Sequence, residues 1–255
     1  MDRIQNAFQN GKAFIGFLTG GDPTIEKTEE FMMEMVRGGV DLIEIGIPFS
    51  DPIAEGPIIQ AANIRALSNG TDTDSIFTLV ENARKKTQIP IVLLTYLNPV
   101  FKYGYERFFK RCMEAGIDGL IIPDLPYEEK GEAEEKASKF GIAIISLIAP
   151  TSKERIKMIA ENAKGFIYAV SSMGVTGIRS EIETDLSTIV KTIQESTDTP
   201  VAVGFGIHTK EQAANVAKVA DGVIVGSAIA QIIEAHQERA GEYIYAYVKE
   251  MKECL

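Results

Sequence analysis

The residues best suited to chemistry lie in one segment, residues 44–57, which combines three carboxylates with three prolines and two glycines. A long structured loop of this composition is more often functional than a simple connection. Glu44 alternates with Ile43 and Ile45, so a strand here would aim its carboxylate toward the interior. A buried acid must either be paired or exchange protons with a raised pKa, the alternative being a structural carboxylate tied to backbone amides. The segment therefore predicts acid–base chemistry centred on Glu44.

Glycine-rich turns form a second group of candidate residues. They lie at Gly174-Val175-Thr176-Gly177, Gly204-Phe205-Gly206 and Gly226-Ser227-Ala228. Each turn can present backbone N–H groups to an anion, and a helix that begins at Gly226-Ser227 would add a favourable dipole. The simpler alternative is that these glycines only allow tight turns. Together the three turns predict a site for a phosphate ester.

The sequence gives little support for catalysis or metal binding by lysine, histidine or cysteine residues. A Schiff-base aldolase needs a lysine at a strand end, and no predicted strand end carries one. His208 and His236 are far apart in the chain and lack acidic or thiol companions at ligand spacing. Cys112 and Cys254 lack the paired spacing of a zinc or redox site. We expect neither a metal site nor a covalent lysine intermediate.

Short apolar runs alternate with helix-period segments along the whole chain. The predicted strands are Phe14–Leu18, Leu42–Ile45, Ile91–Thr95, Gly119–Ile122, Ala143–Ile148, Phe166–Val170, Val201–Val203 and Val223–Val225. The predicted helices between them are Thr24–Gly38, Asp74–Lys86, Tyr105–Ala115, Glu128–Phe140, Ser152–Ala163, Thr184–Thr197 and Lys210–Val219. The strands are apolar on consecutive residues, as strands buried on both faces must be. Eight βα units in about 250 residues are typical of an α/β fold of the (β/α)8 TIM-barrel class.

Two further helices flank the eight units, at Asp2–Gln9 and at Gly241–Cys254. No linker or low-complexity segment divides the chain, which predicts a single barrel domain over residues 1–255. An open doubly wound sheet is the competing architecture, but it would usually have fewer strands at this length. Its dinucleotide fingerprint is also incomplete here, because Thr209 replaces the third glycine after Gly204 and Gly206.

The composition limits the kinds of partner. The 255 residues carry 26 Lys and Arg against 36 Asp and Glu, a formal net charge of −10. Nucleic acids and anionic membranes need a basic surface, so we expect neither as a partner. The sequence has few cysteines, no apolar signal segment and no membrane-length run, which predicts a cytoplasmic location.

In a barrel of this class, the active site lies at the carboxyl ends of the strands. The residues predicted there are Thr19, Asp22, Glu44, Tyr96, Asn98, Asp124 and Tyr168. Four aromatic residues fall near the same mouth: Phe17, Tyr96, Tyr168 and Phe205. They would suit a flat apolar ligand, although barrel cores hold such residues anyway.

These motifs resemble the signature of one family. Glu44-Ile45-Gly46-Ile47-Pro48-Phe49-Ser50-Asp51-Pro52, followed by Gly56-Pro57-Ile58-Ile59-Gln60, is similar to the corresponding segment of tryptophan synthase alpha chains. The similarity continues through Thr19-Gly20-Gly21-Asp22-Pro23, Tyr96-Leu97-Asn98-Pro99-Val100-Phe101, Pro123-Asp124-Leu125-Pro126, Ser171-Ser172-Met173-Gly174-Val175-Thr176-Gly177, Gly204-Phe205-Gly206-Ile207 and Gly226-Ser227-Ala228-Ile229. It covers nearly the whole chain in the same order.

The resemblance implies a carbon–carbon lyase of tryptophan biosynthesis, which cleaves indole-3-glycerol phosphate by a retro-aldol reaction to indole and glyceraldehyde 3-phosphate. Glu44 matches the family's catalytic acid and base, and Tyr168 matches a tyrosine near the reacting carbons. Glu55 stands where the family has an aspartate that accepts a hydrogen bond from the indole N–H, so this chain departs from the pattern by one methylene. Thr176 matches a residue that closes toward that position, which implies a Thr176–Glu55 contact in the closed state.

The resemblance also implies ligand and partner contacts. The phosphate would be held by Gly177, Gly206, Gly226 and Ser227, and the indole flanked by Phe17 and Tyr96. Residues Pro48, Asp51, Asn98 and Phe101 fall on family positions that face the beta chain, which receives the indole within an alpha2beta2 complex. The family's pyridoxal phosphate belongs to that beta chain, so no cofactor is expected in this one.

Three alternative functions remain at this point. The first is a catalytically weakened alpha chain that mainly regulates the beta chain, because of Glu55. The second is another phosphate-sugar barrel enzyme, such as an isomerase acting on an aminated ribulose phosphate, which has no counterpart of the segment after the second strand. The third is a scaffold barrel without a ligand, which would bind no phosphate ester.

Overall fold

A computed structural model of the protein describes residues 3–170, 179–204 and 206–255, with only the backbone described for 179–185. The strands are β1 Ala13–Thr19, β2 Leu42–Gly46, β3 Ile91–Leu94, β4 Gly119–Ile121, β5 Ala143–Ile144, β6 Ser146–Ile148, β7 Ile167–Val170, β8 Val201–Gly204 and β9 Gly222–Val225. The helices are α1 Arg3–Ala7, α2 Ile25–Gly38, α3 Pro57–Ser68, α4 Thr73–Arg84, α5 Leu97–Tyr103, α6 Tyr105–Ala115, α7 Gly131–Lys139, α8 Lys153–Ala160, α9 Arg179–Gln194, α10 Lys210–Ala217, α11 Ser227–His236 and α12 Gly241–Lys252. In the part of the chain so described, no helix is long and apolar enough to cross a membrane.

All strand pairs are parallel, and the strand order is β5-β4-β3-β2-β1-β9-β8-β7-β6. The two ends of this order, β5 and β6, are separated only by Ile145, so they are two halves of the predicted fifth strand. Its first half pairs with β4 and its second half with β7. The sheet thus returns on itself, and the predicted (β/α)8 barrel is confirmed.

Alternate strand residues fill the barrel interior, as strand geometry requires. The interior cluster includes Ile15, Leu42, Val92, Ile121, Ile145, Phe166, Ala202 and Ile224. Helix α1 closes the amino-terminal end of the barrel, because Ile4 is fully buried in this cluster and the ring of Phe8 lies 5.8 Å from that of Phe166. Among the described residues, this cluster fills the amino-terminal part of the interior, and the cavity that reaches Glu44 lies at the carboxyl ends of the strands.

Helix α12 covers the barrel from outside by packing against α2. Lys252 fixes its end, since Nζ donates to Asp41 Oδ2 at 2.6 Å and to the Lys12 carbonyl at 2.9 Å. Both flanking helices predicted from the sequence are therefore present, with α1 shorter than expected.

Helices α3 and α5 were not predicted from the sequence. Helix α3 begins directly after the proline-rich loop, with Gly56 at the N-cap and Pro57 in its first turn, where proline is favoured. It packs against both β1 and α11, so apolar residues occur on more than one side and the helical period is weak. Helix α5 has only seven residues, too few for a period to emerge.

Candidate active site

Glu44 lies in β2 at the barrel mouth, in register with Phe17 of β1 and Val92 of β3. It is 1% exposed, and its Oε2 atom has no hydrogen-bond partner among the described residues. Burial, and after it the charge of Glu55, raises the pKa of Glu44 to about 8. A carboxyl group in this state is a proton donor near neutral pH.

Glu55 lies in the loop between β2 and α3 and is partly buried. The amide Nδ2 of Asn63 donates a hydrogen bond to Glu55 Oε2, and Gln60 Nε2 donates to the Glu55 carbonyl at 2.7 Å. Burial raises the pKa of Glu55, while hydrogen bonds with Asn63 and Tyr96 act in the opposite direction. The loop is tied further by the Ala54 N–H, which donates to the Tyr96 hydroxyl at 3.1 Å.

Two aromatic rings pack closely against glycines in or next to neighbouring strands. The Tyr168 ring occupies the space over Gly204, where an added Cβ would collide with its hydroxyl. Phe17 lies against Gly46 and Gly226, where added Cβ atoms would be 2.8 Å and 3.2 Å from its ring. Burial, and after it the charge of Glu44, raises the pKa of Tyr168, so its hydroxyl stays protonated.

A cavity of about 330 Å³ joins these groups. The two carboxyl groups and Tyr168 line it, with the apolar residues Phe17, Ile59 and Leu94 beside them and the turns at Gly206 and Gly226-Ser227 also on its wall. No lysine or arginine lines the cavity among the residues that the structure describes. The site therefore places acid groups, an apolar surface and glycine turns around a single space.

His208 lines the same cavity, next to Gly206. Its Nδ1 lies 2.9 Å from the Gly206 carbonyl, so this nitrogen carries a proton and donates it.

A second cavity of about 700 Å³ adjoins the first, since Glu55, Leu94 and Tyr168 line both. It extends over the carboxyl ends of β4, β5 and β6, past Ile122, Ile145 and Leu147. Its wall is mostly apolar, which suits a flat ring system.

The structure brings most of the predicted site residues together. The cavity is lined by Glu44, Glu55, Tyr168, Phe17, Gly206, Gly226 and Ser227. Tyr96 lies behind the loop, 1% exposed, and holds Ala54 rather than lining the first cavity. Thr176 and Gly177 lie outside the described residues.

The four predicted partner-facing residues differ in exposure. Asp51 and Asn98 are exposed, and Phe101 is 69% exposed. Pro48 is buried, so it shapes the loop from within and offers little surface to another chain.

Asn63 and His208 are site residues that sequence reasoning did not assign. In the sequence Asn63 is one of three polar residues within residues 58–66, and its role becomes visible only once α3 is seen to carry it toward the loop. His208 was considered only as a metal ligand. Among the described residues, no group of three or more His, Cys, Asp and Glu side chains gathers as a metal site.

Comparisons with known proteins agree on one family. A sequence model described as "Tryptophan synthase alpha chain" matches residues 4–255. The tryptophan synthase alpha chain of Lacticaseibacillus casei is 49% identical over 252 residues, covering 99% of this chain and 95% of that relative.

Solved structures give the same result. The tryptophan synthase subunit alpha of Legionella pneumophila superposes with a TM-score of 0.91 at 38% identity, covering 100% of this chain and 98% of that one. A chain from the tryptophan synthase α2β2 complex of Pyrococcus furiosus superposes with a TM-score of 0.89 at 37% identity, covering 95% and 99% respectively.

Proposed function

Because this chain belongs to the tryptophan synthase alpha chain family, and is therefore a lyase in general terms, we propose that it cleaves indole-3-glycerol phosphate to indole and glyceraldehyde 3-phosphate. The observation that carries the proposal is Glu44, a buried carboxyl group with a raised pKa beside a second carboxylate in one cavity. The reaction needs such a group, because one carbon must gain a proton and one hydroxyl must lose one.

Glu44 performs both proton transfers. Its protonated form donates to C3 of the indole, which places a positive charge on the ring system. The resulting carboxylate accepts the proton of the glycerol hydroxyl next to the ring. The bond between C3 and the carbon that bears this hydroxyl then breaks. Its electron pair returns to the ring, and the hydroxyl carbon becomes the aldehyde. Glu44 ends the cycle protonated, as it began.

Glu55 stabilises the ring charge by accepting a hydrogen bond from the indole N–H. Its carboxylate lies in the cavity wall near Glu44, and its charge is one cause of the raised pKa of Glu44. Electrostatic stabilisation of this kind is often the largest contribution to catalysis. Glu55→Gln removes the charge and is expected to lower turnover at saturating substrate about a hundredfold. Unchanged turnover would contradict the role.

The phosphate binds at the glycine turns Gly206 and Gly226-Ser227, which line the cavity. Ser227 begins α11, so backbone N–H groups and the helix dipole favour an anion there. The resemblance adds Gly177 to these phosphate-binding residues. The indole lies between Phe17 and Leu94, with Tyr168 near the reacting carbons and Tyr96 behind the loop that carries Glu55.

The partner of this chain is a tryptophan synthase beta chain in an alpha2beta2 assembly, as in the Pyrococcus furiosus complex. Exposed residues near the mouth, among them Asp51, Asn98 and Phe101, form the contact surface. Pyridoxal phosphate belongs to the beta chain, and this chain works without a cofactor.

No observation on the described residues favours the alternative of a catalytically weakened chain, because Glu55 still reaches the cavity. Indole release from indole-3-glycerol phosphate, measured for the purified chain alone and with a beta chain, tests the proposal. We expect release in both conditions and faster release with the partner. Binding of the phosphate ester without indole release in either condition would contradict the lyase activity.

A further inference from the structure

Asn63 is a buried polar side chain for which the proposed chemistry has no use so far. It lies on the second turn of α3 and is 3% exposed. Its amide Nδ2 donates to the Glu55 carboxylate across the junction of loop and helix. An amide buried to this degree is costly unless its hydrogen bonds are made, so this contact is a strong constraint on Glu55.

Helix α3, which carries Asn63, is itself fixed to the barrel by another side-chain contact. The guanidinium of Arg65, two residues after Asn63, donates from Nε and Nη2 to the two oxygens of Asp22, at 2.8 Å each. Asp22 follows β1 and is 1% exposed, so this paired contact fixes the helix to the top of the barrel. Ala62 and Ala66, on the same side, are fully buried.

The loop that carries Glu55 is more exposed to solvent than the buried side of α3. Ile53 is 77% exposed, and Ala54 and Gly56 are also exposed. Gln60 donates to the Glu55 carbonyl and the Ala54 N–H donates to the Tyr96 hydroxyl, so both contacts involve the loop backbone. The Glu55 carboxylate itself is contacted by the amide of Asn63, from the fixed helix, and by Tyr96.

We propose that Asn63 is a positioning residue, which holds the longer Glu55 side chain with its free carboxylate oxygen toward the ring nitrogen of the substrate. The inference deepens the proposed function and rests on it. One methylene more than aspartate gives Glu55 an additional torsion, and a donor on a fixed helix removes that freedom. Catalytic geometry loses rate steeply when a group is displaced by about 1 Å.

The same contact also acts on charge. A donor to the carboxylate favours its ionised form, which lowers the pKa of Glu55. The groups that face Glu55 are Glu44 from β2, Tyr96 from the end of β3, Tyr168 from β7 and Asn63 from α3. Without the amide, Glu55 gains a proton at a higher pH, so the acidic side of the pH–rate profile moves upward.

The test compares Asn63→Leu, which keeps the volume and removes the donor, with Asn69→Leu. Asn69 is the matched control because it follows the same helix and its amide also donates a hydrogen bond, to the Pro23 carbonyl, but away from the cavity. Both changes are made in the full chain and again in a Glu55→Gln background. Indole release is measured at high enzyme concentration, over a pH series, with circular dichroism as the check on folding.

We expect Asn63→Leu to lower kcat about tenfold and to move the acidic limb upward, whereas Asn69→Leu changes kcat less than twofold. In the Glu55→Gln background, Asn63→Leu should cost less than a further twofold, because it acts through Glu55. An equal loss in both backgrounds, or a loss no larger than that of Asn69→Leu, overturns the inference. If Asn63→Leu does not fold, Asn63→Asp keeps the shape, replaces the donor with an acceptor, and is expected to lose more activity than Asn69→Asp.

Failure of the inference and failure of the proposed function are distinguishable. If the unaltered chain releases no indole, the proposed function has failed. If the unaltered chain turns over and Asn63→Leu matches it at every pH, only the positioning role has failed.

Discussion

The carboxyl group of Glu44 has almost no contact with water, and this burial is the main cause of its raised pKa. Burial alone disfavours the charged form, and the nearby Glu55 adds repulsion of like charge. Glu44 therefore keeps its proton at neutral pH, whereas the hydrogen bonds of Asn63 and Tyr96 favour the charged form of Glu55 and oppose the effect of its burial on its pKa. Two carboxyl groups with different environments can thus divide the roles of acid and charge stabiliser.

The first prediction concerns the pH dependence of catalysis. Because Glu44 must begin the cycle protonated, and its pKa is about 8, kcat/KM is expected to fall as the pH rises through about 8. Indole release measured between about pH 6 and 10 shows this fall on the alkaline side of the pH–rate profile. A rate that rises through the same range would mean that the carboxylate form starts the reaction.

The second prediction concerns stability. In the unfolded chain Glu44 loses its proton near its usual pKa of 4.5, whereas in the folded chain it keeps the proton to about 8. The unfolded state therefore binds fewer protons between these values, and stability falls as the pH rises across that window. Glu44→Gln removes this dependence, so its melting temperature should exceed that of the unaltered chain by about 5 °C or more at pH 8 and by much less at pH 5. Equal differences at both pH values would show that Glu44 is not buried as described.

Several site residues could be predicted individually from the sequence, and the contacts between them could not. Strand alternation was enough to aim Glu44 inward, and it lies there. The contact of Asn63 with Glu55 depends on which face of α3 turns toward the loop, a tertiary relation that spacing along the chain does not encode. The proximity of His208 to the cavity has the same origin.

At the scale of elements, α3 connects the loop of Glu55 to the barrel. Its first turns carry Asn63, and the next turn carries Arg65, which binds Asp22. The loop between β2 and α3 is thus placed by a helix that is itself fixed by a largely buried ion pair.

The third prediction tests this attachment. Arg65→Leu leaves the carboxylate of Asp22 buried without its cation, so we expect a loss of about 2–3 kcal/mol in the free energy of unfolding. Arg155→Leu is the matched control, because Arg155 also binds a carboxylate through two nitrogens, but with Glu128 at an exposed position. Its loss should stay below about 1 kcal/mol. Urea unfolding midpoints measure both, and equal losses would contradict a structural role specific to Arg65.

Strands were easier to predict than helices. Consecutive apolar residues identified every strand, including the fifth, whose change of partner at Ile145 leaves no trace in composition. Helices α3 and α5 were missed because one is apolar on several sides and the other is short. Both helices lie at the mouth of the barrel, where residues are selected for the site as well as for the fold, so the 3.6-residue spacing of apolar residues is weaker.

At the scale of the whole molecule, two of the most exposed large apolar side chains lie on segments that follow strands at the mouth of the barrel. Phe101 is 69% exposed and Ile53 is 77% exposed, on the segments that follow β3 and β2. Exposed aromatic residues of this kind often anchor an interface. That all residues from 1 to 255 form a single domain stays a prediction.

The fourth prediction tests the partner surface. Phe101→Ala is expected to weaken binding to the beta chain about tenfold, because a large apolar contact is lost. The melting temperature of the isolated chain should change little, since the ring is mostly exposed. Tyr243→Ala, an exposed aromatic on α12, is the control and should leave binding unchanged. Titration calorimetry with a purified beta chain measures both, and equal effects would contradict the placement of the interface.

The role of Glu44 is tested most directly by the rate of indole release by Glu44→Gln. This rate is compared with that of the unaltered chain and with that of Glu154→Gln, which changes an exposed glutamate on α8. Gln keeps the shape of Glu44 but can neither donate a proton to C3 nor accept one from the hydroxyl. We expect a loss of at least about a thousandfold in kcat for Glu44→Gln, with the phosphate ester still bound, and no loss for Glu154→Gln. Turnover by Glu44→Gln within about tenfold of the unaltered chain would contradict the central role of Glu44.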